Sequence, residues 1–231
     1  MRLMPFRIAG CALLLAHAIA YAATAEVFVS EGELNYVGTV DGEANQRLFA
    51  IYDKLPTKPT TLAIQSRGGD VEFGLELGEW VRDHRLDVKV TEFCLSSCAN
   101  YVFTAGKIKT VSNSATIGFH GGLSSQHVVD STDFAGFSQL TDAQKTSVKL
   151  DLQRKLERES RFFQSVGVRQ ALTTFGQQER FANIVRDGWT FTLNCFEQFG
   201  VNNIEVVNPP WVPKPPDQRI DIVILDCPAG G

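Results

Sequence analysis

Residues 86–106 read LDVKVTEFCLSSCANYVFTAG, and this stretch decides the fold. Leu86–Phe93 alternates apolar and polar residues, a strand pattern. Ser96–Gly106 reads as a helix, and small residues join the two. A strand running through small residues into a helix brings backbone N–H groups and the positive end of the helix dipole to the turn. There they favour a negatively charged oxygen, which is what an activated serine needs. The related strand–serine–helix device is the nucleophile elbow, although G-x-S-x-G is absent here. A plainer use of the same residues is Ser96 as a helix N-cap.

Working outward, the same alternation continues. Upstream, Glu26–Ser30 and Leu34–Gly38 read as strands, and Ala44–Leu55 as a helix with Ala44, Leu48, Ile51 and Leu55 on one face. Thr60–Ser66 is a buried-strand run ending in Arg67-Gly68-Gly69, and Val71–His84 is an amphipathic helix. Downstream, Lys109–Val111 and Thr116–Phe119 flank a Ser112-Asn113-Ser114 turn. Gly121–Gly136 is polar, a candidate lid or binding loop. Thr141–Val166 is a long helix with Thr141-Asp142 as its cap and Val148, Leu152, Leu156 and Phe163 marking its inner face. Ala171–Ala182 and Cys195–Phe199 read as helices, Pro209–Pro216 as extended chain, and Ile220–Leu225 as a last strand. Strands alternating with helices predict an α/β fold with a mostly parallel sheet.

The amino end has its own pattern. Arg2 and Arg7 precede the apolar run Ile8–Ala22; one A-x-A site, Ala20-Tyr21-Ala22, closes that run and a second, favoured one follows at Ala23-Thr24-Ala25. This predicts a signal peptide over 1–25 and an exported chain, periplasmic or secreted. The apolar run is shorter than the ~20 residues a membrane span requires. A domain over 26–207 and a proline-rich tail over 208–231 follow. With 44% hydrophobic and 21% charged residues, the chain can build a substantial core. A net charge of −4 without large blocks argues against nucleic-acid binding. No membrane span is expected after signal cleavage.

Beyond the signal, Cys94, Cys98, Cys195 and Cys227 remain. An even number in an exported chain favours disulfides. Of three possible pairings, Cys94–Cys98 with Cys195–Cys227 is favoured, because the first pair is close in sequence and brackets the serine turn. A zinc site is the rival, weakly supported by C-x3-C without a second tight pair; no metal is expected.

Two further pieces gather around the serines. Ser66-Arg67-Gly68-Gly69 ends a strand with paired glycines that can bring N–H groups close to a ligand. Gly118-Phe119-His120-Gly121-Gly122 puts a histidine at a strand end. In order, G-x-V-x-x-x-A-N at Gly38–Asn45, S-x-G-G at Ser66–Gly69, the Ser96–Gly106 segment and His120 make the chain resemble the Clp protease proteolytic subunit and its exported relatives. The resemblance covers about 34–122 and is fainter up to Val207. It implies a crotonase-like ββα superhelix, with Ser97 as nucleophile and His120 as general base. It implies the N–H groups of Gly69 and Cys98 as oxyanion donors.

The third triad member falls on Asn183 or Asp187, with Asp151 more distant. An asparagine can hold the histidine tautomer but cannot balance an imidazolium charge. The implied enzyme is a cofactor-free serine peptidase acting on peptides or unfolded protein segments without ATP, and a homo-oligomer. Phe134, Phe137 and Phe162-Phe163 are candidate subunit contacts, with the core as the alternative. Trp211 is a candidate clasp or partner-binding residue. Two other readings stand beside the peptidase: acyl-thioester chemistry on the same scaffold, and a non-catalytic envelope scaffold or binding protein.

Overall fold

Alternation of buried and open positions builds the central sheet. A computed structural model describes residues 24–125 and 137–227, so the expected signal peptide apart from Thr24 and Ala25, Phe134 and most of the candidate lid lie outside the described residues. Strands β1 (Glu26–Ser30) and β2 (Glu33–Val37) form an antiparallel hairpin. Its turn residues Glu31 and Gly32 have φ of 53° and 78°, the primed-turn geometry that matches strand twist. Strands β3 (Thr61–Gln65), β4 (Asp87–Val90), β6 (Lys109–Ser112) and β9 (Ile204–Val207) complete a sheet ordered β1-β2-β3-β4-β6-β9. Every pairing except β1–β2 is parallel. This is a mixed α/β architecture with a mostly parallel sheet. Leu34, Leu62, Ile64 and Val88 lie in the core, each contributing about 1.5–3 kcal/mol by its burial.

Helices cross over between these strands. Helix α1 (Gly42–Lys54) starts at Asp41, whose carboxylate accepts the Ala44 N–H at 2.8 Å, and buries Ala44, Leu48 and Tyr52. Helix α2 (Val71–Asp83) starts at Asp70 in the same manner. Its Gly74 and Gly78 face the segment that follows Ser97. A Cβ added at Gly74 would lie 2.8 Å from the Ser97 Cβ, so these backbones approach as closely as they do only because both residues are glycine.

A second, smaller layer stacks at the ends of the main strands. β5 (Phe93–Leu95) pairs in parallel with β7 (Thr116–Gly118), and β8 (Gly188–Phe191) with β10 (Ile222–Leu225). Bridges Val40–Gly69, Ser66–Cys94 and Phe119–Trp189 tie these to the main sheet and to one another. LDVKVTEF is therefore two strands rather than one. Its chain bends at Thr91-Glu92, so β4 joins the large sheet and β5 the small one.

Several expectations are corrected by packing. The helix expected over Ser96–Gly106 is present over 97–105, but its Cys98–Phe103 portion is π-helical, with all six of those residues buried. Ala171–Ala182 is a run of 3-10 turns, Gln170–Thr173, Phe175–Gln177 and Glu179–Phe181. There Gly176 lies so close to the Trp189 ring that an added Cβ would be 2.3 Å away, and a continuous helix carrying side chains has no room. Helix α3 (Asp142–Val166) is capped by a Thr141–Gln144 capping box, and it buries Glu159, Phe162 and Phe163. Val148, expected on its inner face, is exposed, because the first half of α3 extends beyond the core. Phe162, Phe163 and Phe137 are buried, so they are packing residues rather than a contact surface. β8 and β9 carry no assignment from sequence pattern.

The tail is strapped across the body. Trp211 Nε1 donates to Ala115 O at 2.8 Å, the Trp211 ring packs near Phe196, and Lys214 N donates to Ser114 O at 3.0 Å. Helix α4 (Leu193–Gln198), capped by Thr192, carries Cys195, which is joined to Cys227 beyond β10.

Candidate active site

The end of β5 determines which serine faces outward. After Leu95 the chain enters the left-handed region at Ser96 (φ 56°) and turns into right-handed helix at Ser97. A left-handed conformation costs an ordinary L-residue about 1–2 kcal/mol, so the turn must be held. Ser96 N–H donates to Gly118 O at 2.8 Å, and Asn100 N–H donates to Ser96 O at 2.8 Å. Gly68 (φ 91°) presses on the turn from the other side; a Cβ there would lie 2.7 Å from Leu95 O and 2.8 Å from Ser96 Cβ.

The two adjacent serines consequently point in opposite directions. Ser97 is buried; its Oγ accepts the Gly69 N–H at 2.8 Å and donates to Gly69 O at 3.1 Å. Ser96 is half-buried, and its Oγ lies 2.7 Å from His120 Nε2. The structure brings His120 together with Ser96 and not with Ser97, where the resemblance had placed the nucleophile. The backbone gives the reason: the left-handed Ser96 sets its hydroxyl beside His120, while the Ser97 hydroxyl is taken by the Gly69 backbone. Neither serine side chain caps the turn.

His120 follows β7 and is gripped on both sides. Phe119 and Trp189 exchange backbone hydrogen bonds of 2.7 and 2.8 Å. Gln177 Nε2 donates to His120 O at 3.1 Å, and Asn100 Nδ2 donates to Gly121 O at 2.8 Å. For the Ser96 hydroxyl to donate to Nε2, the ring proton must sit on Nδ1. Nδ1 finds no hydrogen-bond partner among the described residues.

A cleft of about 310 Å³ opens beside this pair, with Leu95, Phe119, Ile220 and Ile222 as apolar walls and Arg67, Asp187 and Arg219 around it. Of the expected third residues, only Asp187 shares the cleft with His120. Its Oδ2 accepts the Asp221 N–H at 2.7 Å. Asn183 is exposed and not part of the cleft. Asp151 lies on α3 in ion pairs with Arg154 and Lys155. The Gly69 N–H, expected as an oxyanion donor, is occupied by Ser97 Oγ. The N–H groups of Ser97 and Cys98, at the start of the helical turn, find no acceptor among the described residues, as is usual for first-turn donors.

Behind the histidine loop lies a buried polar knot that sequence pattern did not single out. The Glu159 carboxylate accepts from Tyr101 Oη at 2.6 Å, Leu123 N at 3.2 Å and Gln170 Nε2 at 2.7 Å. It thereby ties α3 and the π-helical turn to the chain just beyond His120. Burial pushes the Glu159 carboxyl above its ordinary range, against the pull of these donors. Burial first, then the Glu159 charge, holds the Tyr101 hydroxyl well above its usual value.

Cys94 is joined to Cys98 and Cys195 to Cys227, the pairing favoured from sequence. This takes the thiolates a zinc site would need. Two disulfides mark a chain folded in an oxidising compartment, and no helix among the described residues is long and apolar enough to cross a membrane. No protein-family model matches this sequence, and no curated protein matches it. The chemistry of the site is therefore read from its geometry.

Proposed function

We propose that this protein is an exported serine hydrolase, acting on peptides or unfolded segments through an acyl-enzyme at Ser96. The observation that carries the reading is the 2.7 Å approach of His120 Nε2 to a serine hydroxyl held on a left-handed turn at the mouth of a cleft. His120 takes the Ser96 proton as Oγ attacks a substrate carbonyl, then delivers it to the leaving group. The first-turn N–H groups of Ser97 and Cys98 face the developing oxyanion. Asp187, in the same cleft, steadies the imidazolium charge.

The stacked second layer of short strands and the Ser66–Gly69 loop beside the serine turn support the crotonase-like ββα superhelix and the resemblance to Clp-type peptidases. The chain would work in the periplasm or outside the cell, as a homo-oligomer, without cofactor or ATP. One observation favours the non-catalytic scaffold as a second reading: the Asp187 carboxylate is bonded to the Asp221 backbone rather than to His120.

A fluorophosphonate serine-hydrolase probe tests the reading. Labelling at Ser96 is expected, lost in Ser96→Ala and His120→Ala and kept in Ser97→Ala. Absence of labelling of the folded protein across about pH 6 to 9 overturns it.

A further inference from the structure

Ser96 is the middle residue of a five-residue span closed by the Cys94–Cys98 disulfide. Cys94 is fixed on one side of that span. It pairs with Ile117 in β7 and bridges to Ser66. Cys98 opens the π-helical turn on the other side. Between them Ser96 holds a left-handed backbone that L-residues resist (φ 56°). Among the described residues its side chain has a single hydrogen bond, the one to His120. The other disulfide joins residues 32 apart and secures the tail; this one joins residues 4 apart. Closing so short a loop removes less chain entropy than closing a long one, so its main effect is local, on the geometry of the residues it encloses.

We propose that Cys94 and Cys98 are positioning residues for Ser96, and that the Ser96–His120 pair becomes reactive only in a chain whose Cys94 and Cys98 are joined. The inference rests on the serine-hydrolase reading and supplies its regulation: the site stays unassembled in a reducing compartment and is completed by oxidation. With a small-molecule disulfide such as oxidised glutathione as oxidant, the Cys94 thiolate attacks it and releases one glutathione thiolate. The Cys98 thiolate then displaces the second glutathione from the mixed disulfide. Two electrons and two protons pass from the cysteine pair to the oxidant. Both cysteines are fully buried in the folded protein, so the bond, once formed, is shielded from protein reductants.

Label and redox state can be read on one molecule, because Ser96, Cys94 and Cys98 share the tryptic peptide spanning 90–107. The full chain is refolded with oxidised glutathione or with dithiothreitol, exposed to a fluorophosphonate, alkylated and analysed by mass spectrometry, with near-ultraviolet circular dichroism to follow the fold. In the same assay Cys94→Ala/Cys98→Ala is compared with Cys195→Ala/Cys227→Ala. Peptides labelled at Ser96 are expected to carry the intact disulfide. The first variant should label roughly 100-fold more slowly than wild type, and the second close to the wild-type rate. Peptides alkylated at both cysteines yet labelled at Ser96 at the wild-type rate overturn the positioning role while leaving the hydrolase reading intact. An oxidised, folded wild type without label overturns the hydrolase reading, and this inference with it.

Discussion

Ser97 Oγ and the Gly69 backbone hold each other reciprocally, the hydroxyl accepting the glycine N–H at 2.8 Å and donating to its carbonyl at 3.1 Å. That exchange ties the Ser66–Gly69 loop to the start of the π-helical turn. It also leaves Ser96, not Ser97, free to meet His120.

Ser97→Ala therefore acts on stability first. Loss of this buried pair is expected to lower the unfolding free energy by about 1–3 kcal/mol, read as a lower urea midpoint at unchanged slope. Probe labelling at Ser96 should persist. A Ser97→Ala variant that is as stable as wild type but unlabelled would reverse the assignment of the two serines.

Asp187 and Asn183 differ in what they border. Asp187 lines the cleft with His120 and Asn183 does not, so Asp187→Asn should slow labelling by about tenfold or more. Asn183→Ala should leave the rate unchanged. Comparing the two rates at one pH checks the point, and equal rates in Asp187→Asn and wild type would remove Asp187 from the mechanism.

Glu159 makes stability depend on acid in an unusual direction. Its carboxyl titrates higher folded than unfolded, because burial disfavours the charged form. Its contribution is therefore greatest below the unfolded value near 4.3 and is lost as pH rises through the raised folded value. Relative to Glu159→Gln, wild type should lose stability across that window. Chemical unfolding of both proteins in steps upward from about pH 4 tests this; a flat difference would place the buried charge elsewhere.

Lys109 gives the opposite sign at alkaline pH. It is buried, donates to Gly106 O and Asn202 O at 2.7 and 3.0 Å, and is pushed down to about 8 by desolvation. The penalty on its charged form is full below that value and fades as pH rises toward the unfolded value of about 10.4. Wild type should gain stability relative to Lys109→Met between those limits. Urea midpoints of the two proteins measured near pH 7.5 and 10 should converge or cross in that sense.

Strands β1 to β4 and β6 of the large sheet were legible because their signal is local, whereas β9 was not. Leu34, Leu62, Ile64 and Val88 alternate with open positions on successive residues, and alternation is a property of the strand itself. The cap at Thr141 was readable for a similar reason, since the acceptor and the amide it satisfies lie three residues apart. The disulfide pairing followed from sequence separation. Phe162 and Phe163 take the core alternative rather than the subunit contact, and the turns over 170–181 replace an expected helix, because these environments come from distant chain: Tyr101 against the two phenylalanines and Trp189 against Gly176.

The sequence by itself determined that a strand–serine–helix turn, a glycine pair and a glycine-flanked histidine exist, and in which order. Only the tertiary structure decided which serine the histidine meets. The direction of each hydroxyl depends on a positive φ at Ser96, held by Gly118 and Gly68, and on a π-helical turn packed against Gly74 and Gly78. These contacts come from segments far apart in the chain, so no periodicity local to the turn encodes them.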